Sequence, residues 1–495
     1  MPTPVQRLAA GLRAHWPLTV WITALSLWRA ATGDHTESMW MSREGADVLA
    51  GGGFTHADRW SWTPQQWDFV PTSPGWELLS AAGASVIGAL AFPLLAFLVT
   101  ASTLAVQARL ARHLGASTLA TIAALGLSAT FAAGILTSRA AAPAFMLLMV
   151  ELLVFWRLRT RILGASVTRR LLGSGVLAFT FAYVGIWLHN SWTMFAVMAS
   201  VGIALILRDD ADARWRTAAL SAAAASMLAT VVGPLGINAW TNAARVSAEC
   251  RGLVREWTTP WALGDVWPWL WVAVAVIVTL GCLHELRRPR AALRRPLTVI
   301  QLAIAVGAVV AGAVAIRFLL LGIVAATPLL AHWLTLLTRS ARAMRLRRAL
   351  GERGSSRYWT TIAAMLGIVA LALSFVVVAG TPVRESAAIA ALPRNCNLFS
   401  DDFDAKRVEY WRPDIRVWVD GRQDYWGRER LLEANRYQAG AVAGRLVPAG
   451  TTCVVLSTSD TRATGVAHAL AHALDRNPDW QRLVTTPELT AWSTR

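Results

Sequence analysis

Eleven apolar runs, each long enough or nearly long enough to cross a bilayer, fill most of the first 380 residues and commit this chain to a bundle of membrane-spanning helices. They lie near residues 16–32, 88–110, 117–136, 141–158, 171–187, 191–207, 216–233, 266–283, 297–315, 318–337 and 358–379. With the N-terminus in the cytoplasm, the connections carrying Arg7 and Arg13, Arg109 and Arg112, Arg157 to Arg170, Arg208 to Arg216, Arg287 to Arg295 and Arg339 to Arg357 all fall inside. That arrangement satisfies the positive-inside rule at every loop. The opposite face then receives Asp34, Glu37, Asp58, Arg139, His189, Asn238, Glu256 and Arg317. A polar set gathered on that side marks it as the working face.

Composition agrees with the pattern and removes some alternatives. The chain is 55% hydrophobic and only 16% charged, which describes a polytopic membrane protein with a modest soluble part rather than a soluble enzyme. Its net charge of +17 resides largely in short loops beside the spans, where it orients the protein against anionic lipid. With no recognition motif present, nucleic acid is not read as a partner. The first run is followed by no small-residue cleavage site before Asp34 and is read as a retained span. Cys396 and Cys453 share one polar segment and are either paired there or buried as free thiols; no zinc-type Cys/His spacing appears.

The first outer loop, residues 33–75, contains three glycines at 51–53 and Pro64, Pro71 and Pro74 as breakers. Its opening part, Thr36 to Ala50, suits a short amphipathic helix. The apolar stretch from Trp76 to Gly88 suits a surface helix ahead of the true span. A tight hairpin joins 171–187 to 191–207 through a tip containing His189 and Asn190. The Pro and Gly content of 234–265 predicts an ordered turn rather than a helix. After residue 379 the composition becomes polar, so 1–379 is expected to form the membrane domain and 380–495 a small extracytoplasmic α/β domain. Strands are expected at Arg416–Asp420 and Cys453–Ser457, and helices at Arg428–Ala439 and Ala463–Leu474.

Two residue classes on the outer face point to chemistry. Glu37, Asp34 and Asp58 are carboxylates beside an apolar wall, where proton affinity is tunable and a general base becomes feasible. Arg139 and Arg317 break the positive-inside trend, and arginine at headgroup depth grips phosphate bidentately. Trp40 belongs to a cluster of eight tryptophans in the first eighty residues, suited to the membrane interface and to stacking on sugar rings. With His189, Asn238 and Glu256 it forms a candidate substrate-binding set. Glu151, within a span, is expected to face protein or water rather than lipid, an arginine on a neighbouring span being one partner open to it.

Taken in order, several segments resemble the GT-C superfamily of polytopic glycosyltransferases, in particular a bacterial branch with a long first outer loop and an extracytoplasmic tail. They are Glu37-Ser38-Met39-Trp40-Met41-Ser42-Arg43-Glu44-Gly45, Ala57-Asp58-Arg59-Trp60-Ser61-Trp62-Thr63, Ser73-Pro74-Gly75-Trp76-Glu77-Leu78-Leu79, Ser138-Arg139, Trp187-Leu188-His189, Gly233-Pro234 with Asn238, Glu256-Trp257, Arg317 and Val419-Asp420-Gly421-Arg422-Gln423-Asp424-Tyr425. The resemblance implies a sugar taken from a polyprenyl-phosphate donor on the outer face of the cytoplasmic membrane and passed to a cell-envelope acceptor. It implies a first-loop acid as base, matched by Glu37 or Asp34 with Asp58 in support, and arginines on the lipid phosphate, matched by Arg139 and Arg317. The position matched by Glu37 is usually Asp and that matched by Met41 usually His. Loss of the histidine weighs against a divalent metal cofactor. A protein that binds or moves lipid-linked saccharides without transferring sugar is the alternative.

Overall fold

The apolar runs are helices. The computed structural model describes residues 4–54, 57–65, 68–209, 213–251, 253–264, 266–287, 296–338, 384–440, 442, 444–462 and 465–495. In chain order the helices of the first part are α1 (Pro4–Thr32), α2 (Thr36–Leu49), α3 (Pro74–Ile87), α4 (Ala91–His113), α5 (Thr118–Phe131), α6 (Ala141–Gly164), α7 (Val167–Leu188), α8 (Trp192–Leu207), α9 (Arg214–Val232), α10 (Asn238–Cys250), α11 (Pro260–Leu263), α12 (Trp267–Leu286), α13 (Pro296–Gly312) and α14 (Ile316–Thr338). Ten of the expected spans coincide with α1, α4 to α9 and α12 to α14. The eleventh, near 358–379, lies outside the described residues, as do the basic loop at 339–357 and the expected domain boundary at 379. Among the described residues six stretches, with α3 and α4 taken together, are long and apolar enough to cross a membrane, and α5, α8 and α13 are shorter apolar helices.

The expected division of the 76–110 region is visible in the backbone. Gly88 adopts a positive φ of 61°, a conformation that side-chain-bearing residues avoid, and a short 3-10 turn at Gly88–Leu90 separates α3 from α4. The region 234–265 corrects the expectation of a turn. It contains the 13-residue helix α10, because Gly233, Pro234 and Gly236 precede it and Gly252, Pro260 and Gly264 follow it, leaving Asn238–Cys250 free to wind.

The C-terminal segment is a small sheet domain. Its elements are α15 (Ala387–Ala390), β1 (Asn397–Phe399), α16 (Asp402–Trp411), β2 (Arg416–Val417), α17 (Gln423–Gln438), β3 (Cys453–Ser457), α18 (His468–Arg476), β4 (Trp480–Thr485) and β5 (Leu489–Thr494). The strand expected over Arg416–Asp420 is thus confined to two residues; α17 is broken at Gly427, whose φ is 74°, so its second part begins at Arg428 as expected, and α18 lies a few residues from its expected limits. The sheet order is β2-β1-β3-β5-β4, with β1 parallel to β2 and β3 and the last three strands antiparallel. Alternation along the strands sends Leu398, Val417, Cys453, Val455 and Ala491 to a core shared with Ile389 and with Ala405 and Val408 of α16. Phe399, Val454, Leu456 and Trp492 point to the other face, against Leu470 and Leu474 of α18. Cys396 and Cys453 form a disulfide between the β1 and β3 edges, which settles their pairing.

The first loop fastens this domain to the bundle. Ser61 bridges Val417 in parallel, so the loop adds backbone pairing to the free edge of β2. Trp62 Nε1 donates to the Leu398 carbonyl at 3.2 Å, and Arg43 on α2 donates to the carbonyls of Glu409 and Pro413, each at 3.0 Å. Helix α16 therefore sits between the sheet and α2.

Candidate functional site

Where the bundle meets the sheet domain, a cavity of about 300 Å³ is lined by Glu37, Trp40 and Met41 of α2, Arg139, His189 and Asn190, Glu256 and Trp257, Arg317, and Gly421 and Gln423 of the C-terminal domain. Each lining group is held by local structure. The loop between α5 and α6 is pinned by Arg29, which donates to the carbonyls of Ala133 at 2.8 Å and Leu136 at 3.2 Å. Trp76 Nε1 and the Ser38 hydroxyl both donate to the Ser138 carbonyl, which fixes the base of Arg139. At the α7–α8 tip the Asn190 amide donates to the Thr72 carbonyl at 2.8 Å. The Ile316 amide donates to the Thr258 carbonyl at 3.1 Å, bringing the start of α14 against the loop that carries Glu256.

Arg139 is the hub of an ion network. It hydrogen-bonds Glu256 and lies 3.5 Å from Glu37 and 4.0 Å from Asp34. Burial alone pulls its proton affinity down, but the three carboxylates outweigh this and raise it. Glu37 is gripped at both oxygens: Oε1 accepts from Lys406 Nζ at 2.6 Å, and Oε2 accepts from Trp40 Nε1 at 2.9 Å. Burial pushes its carboxyl up, yet Lys406 and Arg139 prevail and hold it at about 2, so Glu37 is ionised throughout the physiological range. Glu256 is likewise held below its ordinary value; burial opposes this, and Arg139 and Arg317 overcome it.

Arg317 differs from Arg139. Its guanidinium stacks on the Trp257 ring, 4.4 Å from the centroid, and meets no carboxylate within ion-pair distance among the described residues. His189 is buried, and burial with the nearby Arg317 holds its imidazole down to about 3. Its Nδ1 accepts from the Ser191 amide at 3.0 Å, which assigns the remaining proton to Nε2. His189 is therefore a neutral hydrogen-bond donor rather than a base.

The sequence-derived set is only partly gathered here. Glu37, Trp40, Arg139, His189, Glu256 and Arg317 share the cavity, and Asp34 stands behind Arg139, its Oδ1 accepting from the backbone and hydroxyl of Thr36. Asp58 is elsewhere, fully buried and 2.8 Å from Arg422, which also takes Asp420 in a bidentate pair. Arg422 draws Asp58 onto the sheet domain and away from the cavity lining. Asn238 is exposed at the start of α10 and does not line the cavity. Glu151 is buried on α6 with both oxygens lacking hydrogen-bond partners among the described residues, and no arginine pairs with it. Sequence reasoning missed Lys406, whose signal was its rarity.

The donor set around Glu37 does not suit a divalent cation. The charged groups within ion-pair distance of Glu37 among the described residues are the cations Arg139 and Lys406, and Met41 stands in the lining as a thioether. Among the described residues no group of three His, Cys, Asp or Glu side chains is arranged to hold a metal.

Below the polar cavity lies an apolar one of about 350 Å³ between α8 and α13, sharing Met194, Phe318 and Leu321 with it and flanked by the exposed Val197 and Val201.

No protein-family model matches the sequence, and no curated protein does. Solved structures do. The chain is similar to the oligosaccharyltransferase AglB from Archaeoglobus fulgidus, solved with an inhibitory peptide and a dolichol-phosphate, at 12% identity and a TM-score of 0.54 over 90% of this chain and 70% of that one. It is also similar to ArnT from Cupriavidus metallidurans bound to undecaprenyl phosphate, at 13% identity and a TM-score of 0.52 over 98% and 97% of the two chains. A helical membrane bundle with a small C-terminal sheet domain, aligned along almost its whole length with these two structures, shares their fold, the GT-C-like architecture that the sequence resemblance implies.

Proposed function

We propose that this protein is an integral membrane glycosyltransferase that takes a sugar from a polyprenyl-phosphate donor and passes it to a cell-envelope acceptor on the outer face of the cytoplasmic membrane. Arg317 carries the reading. It is a cation at a buried cavity wall with an aromatic platform and no carboxylate within ion-pair distance among the described residues, and Glu256, which acts on it at longer range, is hydrogen-bonded to Arg139. A charge left uncompensated in such a place is costly unless an anion arrives to meet it. The apolar cavity that joins it between α8 and α13 has the character an isoprenoid chain requires.

In this reading residues 1–379 form the membrane domain, with its N-terminus inside, and 380–495 face outward. The donor phosphate seats on Arg317 and draws on Arg139, and the lipid chain follows α8 and α13. His189 Nε2 donates to the donor, and Trp40 offers a ring to the sugar. Glu37 accepts the proton of the acceptor hydroxyl as its oxygen attacks the anomeric carbon. The bond from that carbon to the phosphate oxygen breaks, and the electron pair leaves with the lipid phosphate, stabilised by the arginines. A single displacement of this kind inverts the anomeric centre. Phosphate binding competes with Glu37 for Arg139 and so loosens the hold that makes Glu37 a weak base in the resting state.

The test is loss of radiolabelled sugar from polyprenyl-phosphate donors by lipid-reconstituted protein, across a panel of envelope acceptors. Turnover that disappears in Glu37→Gln supports transfer. A second reading, a binding protein for lipid-linked saccharides, is favoured by the engagement of both Glu37 oxygens. Donor binding without turnover in any acceptor would establish it.

A further inference from the structure

Of the 47 lysines and arginines in this sequence, Lys406 alone is lysine. It is also among the least exposed cations, with 4% of its side chain accessible and its ammonium 2.6 Å from Glu37 Oε1. Two features of the C-terminal domain bring it there. Ala405 and Val408 bury one face of α16 in the sheet core, so the helical period turns Lys406 toward α2. Gly421 then leaves the stem room: a Cβ at that position would stand 2.0 Å from Lys406 Cε. Gly421 itself sits in a turn clamped by the Asp420–Arg422 pair and by Trp426 Nε1, which donates to Asp420 at 3.0 Å. The Asp-Gly-Arg motif, with no role legible in sequence, thus frames the passage of a single side chain.

We propose that Lys406 is a positioning residue for Glu37: the C-terminal domain passes a point cation through the gap at Gly421 to the carboxylate in the cavity wall, fixing the orientation and charge of the first-loop acid. The inference rests on the reading of Glu37 as the base. An ammonium donates to one oxygen and leaves Oε2 to Trp40, whereas a guanidinium fork would take both. Arg139 is the other cation facing Glu37, with Asp34, Glu256 and Arg317 around it, and Asp402 faces Lys406 from its own helix. Burial favours the neutral acid, and Lys406 is the largest influence opposing it.

A chain with one lysine permits a direct test. Protein labelled with ¹³C,¹⁵N-lysine in lipid nanodiscs yields one side-chain signal, whose ¹³Cε shift reports the charge on Nζ. The ammonium is expected to persist above the ordinary lysine value of 10.5, and Glu37→Gln to lower its titration. In donor-turnover assays Lys406→Met should move the acid limb of the kcat/KM profile upward by roughly 1–3 units. Gly421→Ala, which keeps the charge but fills the passage, should move it the same way. A lysine signal that titrates like free lysine and ignores Glu37→Gln, or an acid limb unmoved in both variants, overturns the proposal. If the wild-type protein turns over no donor, the glycosyltransferase reading fails while the lysine signal still decides whether Lys406 and Glu37 are coupled.

Discussion

At the scale of single residues, the two arginines of the cavity have different tasks. Arg139 is neutralised by three acids and orders them; Arg317 stacks on Trp257 and meets no carboxylate within ion-pair distance among the described residues, which in the proposed reading leaves it for the donor phosphate. Arg317→Ala should therefore weaken polyprenyl phosphate binding by roughly 10- to 100-fold, the loss of a charged hydrogen-bonding group, with little effect on thermal stability. Isothermal titration in nanodiscs reads the first quantity and a melting curve the second; equal affinity in the variant would remove Arg317 from the site. Arg422 is the opposite case. It is fully buried between Asp58 and Asp420 and beneath the Trp60 ring, 4.5 Å away. Arg422→Met leaves those carboxylates without their cation and should cost about 3–5 kcal/mol, seen as a lowered Tm.

At the scale of elements, α2 packs against both α3 of the bundle and α16 of the sheet domain, and it carries a buried carboxyl at that junction. Burial raises the Glu44 carboxyl from 4.5 to about 8, with Arg422 opposing and Asp47, Asp420 and Asp58 assisting. A carboxyl whose folded value is raised binds more protons folded than unfolded. Its contribution is complete below pH 4.5 and is lost as pH rises toward 8. Stability measured by melting should decline across that window, and Glu44→Gln should flatten the decline; an unchanged slope would exclude Glu44 as its source. The disulfide closes 57 residues between β1 and β3 and should contribute about 2–4 kcal/mol to the sheet domain, measured by comparing melting of the Cys396→Ser, Cys453→Ser double variant. The helices were legible in sequence because a span announces itself through an uninterrupted apolar run. Helix α10 was not, because Gly233, Pro234 and Pro260 at its borders masked a segment whose own residues wind readily. The site was half legible for a related reason. Glu37, Arg139 and Arg317 stood out by being charged where the pattern wanted apolar or neutral residues. Asp58 stood out equally, yet its partner Arg422 lies 364 positions away, and no local signal ties the two together.

At the scale of the whole molecule, the first loop and the C-terminal domain act as one cover over the end of the bundle. Ser61 extends the sheet edge, Arg43 caps carbonyls around α16, Arg428 donates to Glu249 at the end of α10, and Lys406 reaches Glu37 in the cavity wall. Beneath this cover a polar chamber meets an apolar one, the sequence of environments a lipid-linked phosphate presents from headgroup to tail. The most direct test is a cryo-EM structure of the protein reconstituted with a polyprenyl phosphate. The account expects the phosphate within hydrogen-bond reach of Arg317 and the isoprenoid chain along α8 and α13. Lipid seated elsewhere on the bundle, with the chamber at Arg317 filled only by water, would contradict it.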